Sequence, residues 1–399
     1  MERIKYFLNN YIYICLFLFI VGLFIGGRLL VLALLVFIIS IIVKKIHGRN
    51  YFKLNTVLLL LILFYLWHII GYFYSINKGV ALFDFEVKLS ILIFPLLFMN
   101  KYSILNLKKL SKIYVIISII YGITILCNSL ISFYMSGQIL YYSDFSIFLH
   151  PSYYTMYLDL SIIFSIGLII NNKNIKKRIF YFISLIILIT NIYFADSKSG
   201  YIATIIVLAY ILLYFGLKKN KIITISFFLL FLALSFLVVK NNYRFQSLLN
   251  NIYNYNNILK NPENKNSSTS MRILAWNASY QIIKENTIIG VGSGDIKTEL
   301  NKKYKELKYN YLIKYNLNSH NQFLETWLGQ GIIGFVLLLL VFIIPFIDAI
   351  KRKNILLQSF LLLIFINFLF ESMLDTQAGT IFFGFFYSLL VIKQEEPIS

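Results

Sequence analysis

Of 399 residues, 59% are hydrophobic and only 14% charged, which excludes an ordinary soluble domain. The formal net charge of +20 would suit a nucleic-acid partner, but the cations are dispersed through short loops between apolar blocks, which excludes a polyanion-binding face. Cys15 and Cys127 both fall inside apolar blocks, so the sequence offers no disulfide framework.

The first apolar block follows Met1-Glu2-Arg3-Ile4-Lys5 and could pass for a signal peptide. No small-residue cleavage site follows it and a second block begins almost at once, so it reads as an uncleaved first helix. Hydropathy places twelve spans at approximately 6–26, 29–43, 55–75, 89–100, 113–134, 153–170, 179–195, 201–217, 222–239, 321–348, 355–370 and 379–392. The span at 89–100 is short and contains Pro95, so it is expected to be tilted or broken. Alternate short loops and the termini carry 21 Lys and Arg residues on one side against 4 on the other, and the remaining 12 lie in the long loop 240–319. That asymmetry predicts cytoplasmic termini and an outer, periplasmic position for the long loop. The expected architecture is an all-α polytopic membrane bundle, organised as nine spans (1–239), a loop or lid (240–319) and three spans (320–399) in a single integrated domain. No internal repeat of the transporter kind stands out.

Polar residues that are odd in their setting collect on the predicted outer side. Lys88 follows Asp84 and Glu86 at the start of the fourth span, and His150-Pro151-Ser152-Tyr153-Tyr154 opens the sixth. Asp196-Ser197-Lys198-Ser199-Gly200 forms the turn between the seventh and eighth. Each also has an ordinary reading: Lys88 and Lys198 as snorkelling interface residues, and His150-Pro151 as a plain helix start. Asp159, inside the sixth span, should face a bundle cavity. The long loop starts loosely from Asn250 to Ser270. An amphipathic helix from Met271 to Lys284, carrying Arg272, then leads to the turn Gly290-Val291-Gly292-Ser293-Gly294 and a charged helix from Ile296 to Lys308. The glycine turn resembles a phosphate loop only superficially, because a helix and not a strand precedes it. Sequons occur at Asn266 and Asn277.

Ser319-His320-Asn321-Gln322 closes the loop. Ser319 with Gln322 three residues later forms a capping-box pattern, which predicts a helix start with His320 in the first turn, beside unpaired N–H groups. His320, Phe323, Leu324, Trp327, Leu328 and Gly331 then recur on one helical face. A ring so placed would stay neutral, as a potential base, or would simply cap a helix at the membrane surface. Glu371, Asp375 and Gln377 end the eleventh span. No metal-ligand spacing and no D-x-D motif occurs in the outer loops, so neither a metal nor a cofactor is expected.

The stretch from Ser319 to Leu324, continuing through Gly331 and Gly334, resembles the signature of the O-antigen ligase and O-antigen polymerase superfamily. The resemblance extends to Ser197-Lys198-Ser199-Gly200, Arg272-Ile273-Leu274-Ala275-Trp276, Lys88-Leu89-Ser90 with Pro95, His150-Pro151-x-Tyr153, and Glu371-x-Met373-Leu374 with Gly379. It implies a glycosyltransferase-C-like fold in a bacterial inner membrane. It also implies metal-independent transfer of a glycan from undecaprenyl diphosphate to a sugar hydroxyl at the periplasmic face, with inversion. The acceptor would be lipid A core for a ligase or another lipid-linked repeat unit for a polymerase. A third kind of relative glycosylates protein, and a transporter or flippase is the more distant alternative. By resemblance His320 and Arg272 are catalytic, Arg272, Lys198 and Lys88 bind diphosphate, and His150, Tyr153, Asn321, Glu371 and Asp196 support the acceptor or the site. The family usually has arginine where this chain has Lys198, so the two-point grip on phosphate is replaced by a point charge.

Overall fold

Backbone N–H and C=O groups in a bilayer have no water to pair with, so a chain this apolar must satisfy them within helices. The computed structural model describes residues 2–47, 52–99, 105–217, 220–240, 242–262 and 267–393, and every element among them is helical. Arg49, Lys101, Lys218, Lys219, Lys265 and the sequon at Asn266 lie outside the described residues. The first nine helices are α1 (Glu2–Ile25), α2 (Gly27–His47), α3 (Thr56–Tyr74), α4 (Lys78–Lys88), α5 (Ser90–Phe98), α6 (Leu107–Ser136), α7 (Pro151–Ile170), α8 (Ile175–Ala195) and α9 (Lys198–Gly216). They are followed by α10 (Lys221–Lys240), α11 (Tyr243–Tyr253), α12 (Tyr255–Lys260), α13 (Ser268–Glu285), α14 (Ile296–Glu306) and α15 (Asn310–Lys314). The chain ends with α16 (Gln322–Lys351), α17 (Ile355–Phe370), a 3-10 turn (Met373–Asp375) and α18 (Gln377–Lys393).

This is a polytopic helical membrane protein. Each expected span coincides with one helix, and among the described residues seven of them (α2, α3, α6, α7, α8, α9 and α16) are long and apolar enough to cross a bilayer. The fourth span is α5, only nine residues long; the break before it falls at Leu89, where the charged α4 ends, while Pro95 sits inside the helix. The bundle is built around α7: 72% of its apolar window is buried, against 22–44% for the other six. It packs on α6, α8, α9 and α17. Aromatic rings fill the spaces between helices, with Phe382 of α18 stacked on Tyr157 at 4.5 Å and Phe385 set edge-on to both Phe19 and Phe37. Asp159 faces inward as expected, buried and accepting a 2.6 Å hydrogen bond from Thr204 Oγ1.

The long loop folds into α11–α15 around a small core of its own, in which Ile273, Leu274, Ala278 and Ile282 of α13 meet Leu300, Tyr304 and Leu312. Its start is more ordered than the sequence suggests, since α11 occupies Tyr243–Tyr253 and α12 follows directly. Leu328 of α16 completes this core and so ties the loop to the bundle.

The glycine turn forms the second tie. Gly331 breaks α16 with φ 64° and ψ −166°, so the predicted single helical face stops where its last member stands. The carbonyls released by the break are taken up by the turn: Val291 N donates to Leu328 O at 2.8 Å and Gly292 N to Gly329 O at 3.0 Å. Those two N–H groups are therefore committed to the bundle and not to phosphate. A Cβ on Gly331 would lie 2.0 Å from Ile288 O, a backbone atom that cannot step aside. Gly331→Ala should therefore destabilise the protein by about 3 kcal/mol or more, combining left-handed strain with that clash. Thermal unfolding in detergent and faster proteolytic nicking of the loop would measure it; a parental melting curve would contradict this account of the break.

Candidate functional site

The site assembles where the ends of four helices meet. Asn321 is the N-cap of α16, its side-chain oxygen accepting from Phe323 N at 2.9 Å and Leu324 N at 3.1 Å. The capping box expected from Ser319 and Gln322 does not form. Asn321 is closer to the first free N–H groups, Gln322 turns inward to accept from Leu374 N, and Ser319 Oγ donates to Asn321 O. His320 thus stands before the helix and not in its first turn, with a left-handed backbone at φ 47°. That conformation is held by an Asx turn in which His320 N donates to Asn318 Oδ1 at 3.1 Å. The dipole argument for the ring no longer applies, and a carboxylate takes its place.

That carboxylate is Glu371, which follows the last residue of α17 and is only 6% exposed. Its Oε2 pairs with His320 Nδ1 at 2.9 Å. Its Oε1 accepts from Arg272 Nη2, on α13, and from Ser152 Oγ, on α7, the latter at 3.1 Å. Burial works to raise the Glu371 pKa, but the His320 hydrogen bond and the positive Arg272 outweigh it and hold the carboxyl at about 2. Glu371 is then an anion at neutral pH and must receive a proton-bearing Nδ1. In the neutral ring that pairing puts the proton on Nδ1 and the lone pair on Nε2, on a side chain 28% exposed. Asn321 Nδ2 donates to Leu369 O at 3.1 Å and so fixes the start of α16 against the end of α17.

Lys198 lies beside this cluster. Ser197 caps α9, and the Lys198 ammonium donates to Thr269 Oγ1 at 2.9 Å and Ser268 Oγ at 3.3 Å, both at the start of α13. Among the described residues it forms no ion pair. Lys198 and Arg272 line one cleft together with Trp276, Leu248, Ile252 and Phe370. His320, Arg272 and Lys198 therefore converge, the first two through Glu371 and the last two through the shared cleft.

The remaining candidates are placed around this centre. His150 caps α7, its Nδ1 accepting from Ser152 N at 3.4 Å, which leaves Nε2 to donate to the Tyr142 hydroxyl at 3.3 Å. Tyr153 is its neighbour, with ring centroids 6.4 Å apart. Asp196, left-handed at the end of α8, accepts from Asn242 at 2.7 Å and holds Arg244, whose guanidinium lies 3.6 Å over the Tyr142 ring. Lys88 is the exception. It does not line the cleft but is buried in an acidic cluster, paired with Asp84 and 4.0 Å from Asp375. Its link to the site is indirect: Asp375 accepts from Asn318 Nδ2 at 2.9 Å, and Asn318 shapes the His320 turn. Sequence reading passed over Asn318 and Arg244, quoted Ser152 and Trp276 only inside longer motifs without a role, and gave Glu371 a supporting part that understates its three contacts. The one local cue was Asn318, two residues before the histidine, an Asx-turn spacing.

Residues 183–339 match the O-antigen ligase family model. That match takes in 157 of the 399 residues, under half of the chain. That segment contains Lys198, Arg272 and His320, whereas Glu371 and His150 are supplied by helices outside it. The chain is also 30% identical over 190 residues to an uncharacterized protein of Haemophilus influenzae, an alignment that covers 46% of each chain. The chain thus spans about half the length of the curated relative it matches.

Proposed function

We propose that this protein is a glycan transferase of the O-antigen ligase type. It moves a polysaccharide from undecaprenyl diphosphate to a sugar hydroxyl, with lipid A core as acceptor, at the periplasmic face of the bacterial inner membrane, and both termini are cytoplasmic. The nine-span bundle, the loop and the three-span bundle act as one integrated domain. The observation that carries the reading is Glu371 clamping His320 and Arg272 together beside the Lys198 cleft. His320 Nε2 takes the acceptor hydroxyl proton as that oxygen forms its bond to the anomeric carbon. The bond from that carbon to the diphosphate oxygen breaks and its electron pair leaves on the diphosphate. Direct displacement of this kind inverts the anomeric configuration. Arg272 and Lys198 meet the charge that grows on the leaving group, the part a metal ion plays elsewhere, so the transfer needs no metal. Glu371 stabilises the imidazolium that results, as a buried carboxylate orients the basic histidine of serine proteases.

A lipopolysaccharide gel from a deletion strain tests this reading and its nearest neighbour. Loss of all core-linked glycan, restored by the parent chain, is the expected result. Collapse to a single capped repeat would reassign the acceptor to a lipid-linked repeat unit and the protein to the polymerases. A normal gel would contradict both.

A further inference from the structure

Trp276 lies one turn after Arg272 on α13, so the two side chains project from the same helical face. Both line the Lys198 cleft. The indole Nε1–H of Trp276 is buried and has no hydrogen-bond acceptor among the described residues, and the same holds for Nε–H of Arg272. A buried donor left unpaired is costly, so two on neighbouring turns call for an explanation. With the Lys198 ammonium, the polar atoms that these three residues bring to the cleft are all donors, a set that matches an oxygen-rich anion. The rest of the lining includes Ile202, Leu248, Ile252 and Phe370, an apolar wall from α9, α11 and α17. The ligand that satisfies both halves has a phosphate-rich head and an aliphatic chain. Two sources share that chemistry: a prenyl diphosphate and an anionic phospholipid headgroup.

We infer that Trp276 is a ligand-contacting residue, donating its indole N–H to a diphosphate oxygen of the prenyl carrier and helping the cleft to select diphosphate-bearing lipid. This rests on the donor reading above and adds to it a recognition residue. A site built to donate a hydrogen bond rejects an analogue that lacks the acceptor, because its buried N–H is then left unpaired.

The test is binding of radiolabelled farnesyl diphosphate to the full-length protein in uncharged detergent, with farnesol and phosphatidylglycerol as competitors. Trp276→Phe keeps an aromatic ring and removes the donor. It should bind farnesyl diphosphate about tenfold or more weakly than the parent, the loss expected for one hydrogen bond to a charged acceptor. Neither farnesol nor phosphatidylglycerol should compete efficiently with the parent. Equal affinity of parent and variant would overturn the Trp276 assignment and leave the donor reading standing. Efficient competition by phosphatidylglycerol would make this an ordinary interfacial tryptophan and overturn it too. No binding by the parent would remove both the assignment and the reading it rests on. If the variant does not fold in a thermal scan, indole emission of the parent decides: a shift with farnesyl diphosphate and none with farnesol supports the contact, and no shift overturns it.

Discussion

Membranes carrying His320→Ala in place of the parent chain should transfer lipid-linked glycan roughly 10²–10⁴-fold more slowly, the usual contribution of a positioned general base. The expectation rests on Nε2, which carries the lone pair of the neutral ring when Glu371 holds the proton on Nδ1. Alanine also sits in a left-handed backbone at φ 47°, so part of any loss could come from the turn and not the ring. His320→Asn separates the two. Asparagine adopts that conformation readily and offers no comparable base, so it should match alanine in rate while melting nearer the parent. Turnover close to the parent in either variant would remove the base assignment. Loss of rate that tracks loss of melting temperature across both would reduce His320 to a structural part of the turn.

How the site came to be half legible follows from what each residue needs. The bilayer imposes length and apolarity on every span, so α6 to α9 and α16 to α18 could be read one at a time from their own residues. Lys198 and His320 were legible because a cation and a histidine at predicted outer ends of spans need a reason, and Arg272 because it stands on an apolar-leaning helix of the outer loop. Glu371 was legible only as a supporting residue, because a carboxylate at the end of α17 reads as a terminator until its partners are known. Those partners lie 51, 99 and 219 residues away in sequence, at His320, Arg272 and Ser152. Lys88 went astray for the converse reason: a lysine near a membrane surface suggests an anionic lipid. Its anions are instead the chain's own, Asp84 one turn earlier and Asp375 from the far end. The capping error at Ser319 was local. Two capping residues stood two positions apart, and the pattern rule cannot say that the residue between them will turn left-handed. Gly331 was read as a point on a face, yet Gly329-Gln330-Gly331 amid a long apolar run was a cue for a break.

Replacing Glu371 by glutamine should cost both activity and stability, and the two losses should have different pH signatures. Glutamine keeps the volume but presents one carbonyl and one amide. If the carbonyl faces Arg272, the amide donates to His320 Nδ1, drives the ring proton to Nε2 and abolishes the base. If the amide faces Arg272, two donors oppose each other and the guanidinium loses its counter-charge. The first orientation should lower transfer by about 10²-fold or more, the order seen when the wrong histidine tautomer is enforced, and the second should lower it through the lost charge that holds Arg272 and steadies the imidazolium. Breaking the buried pair with Arg272 should also destabilise the fold at neutral pH by about 3 kcal/mol. The pH dependence follows from the depressed pKa. Glu371 titrates at about 2 in the folded protein against an ordinary 4.5, so its stabilisation is complete above pH 4.5 and is lost as pH falls through about 2. Over that window the parent should lose on the order of 3 kcal/mol that the glutamine variant does not have to lose. Denaturant unfolding in detergent at pH 7 and pH 3 should therefore find the gap between parent and variant narrower by about 2 kcal/mol at pH 3, the remainder closing only below about pH 2. An equal gap at both would mean that the carboxylate charge is not what holds α7, α13, α16 and α17 together. A variant with the parental rate at pH 7 would mean that Glu371 does not set the tautomer of His320.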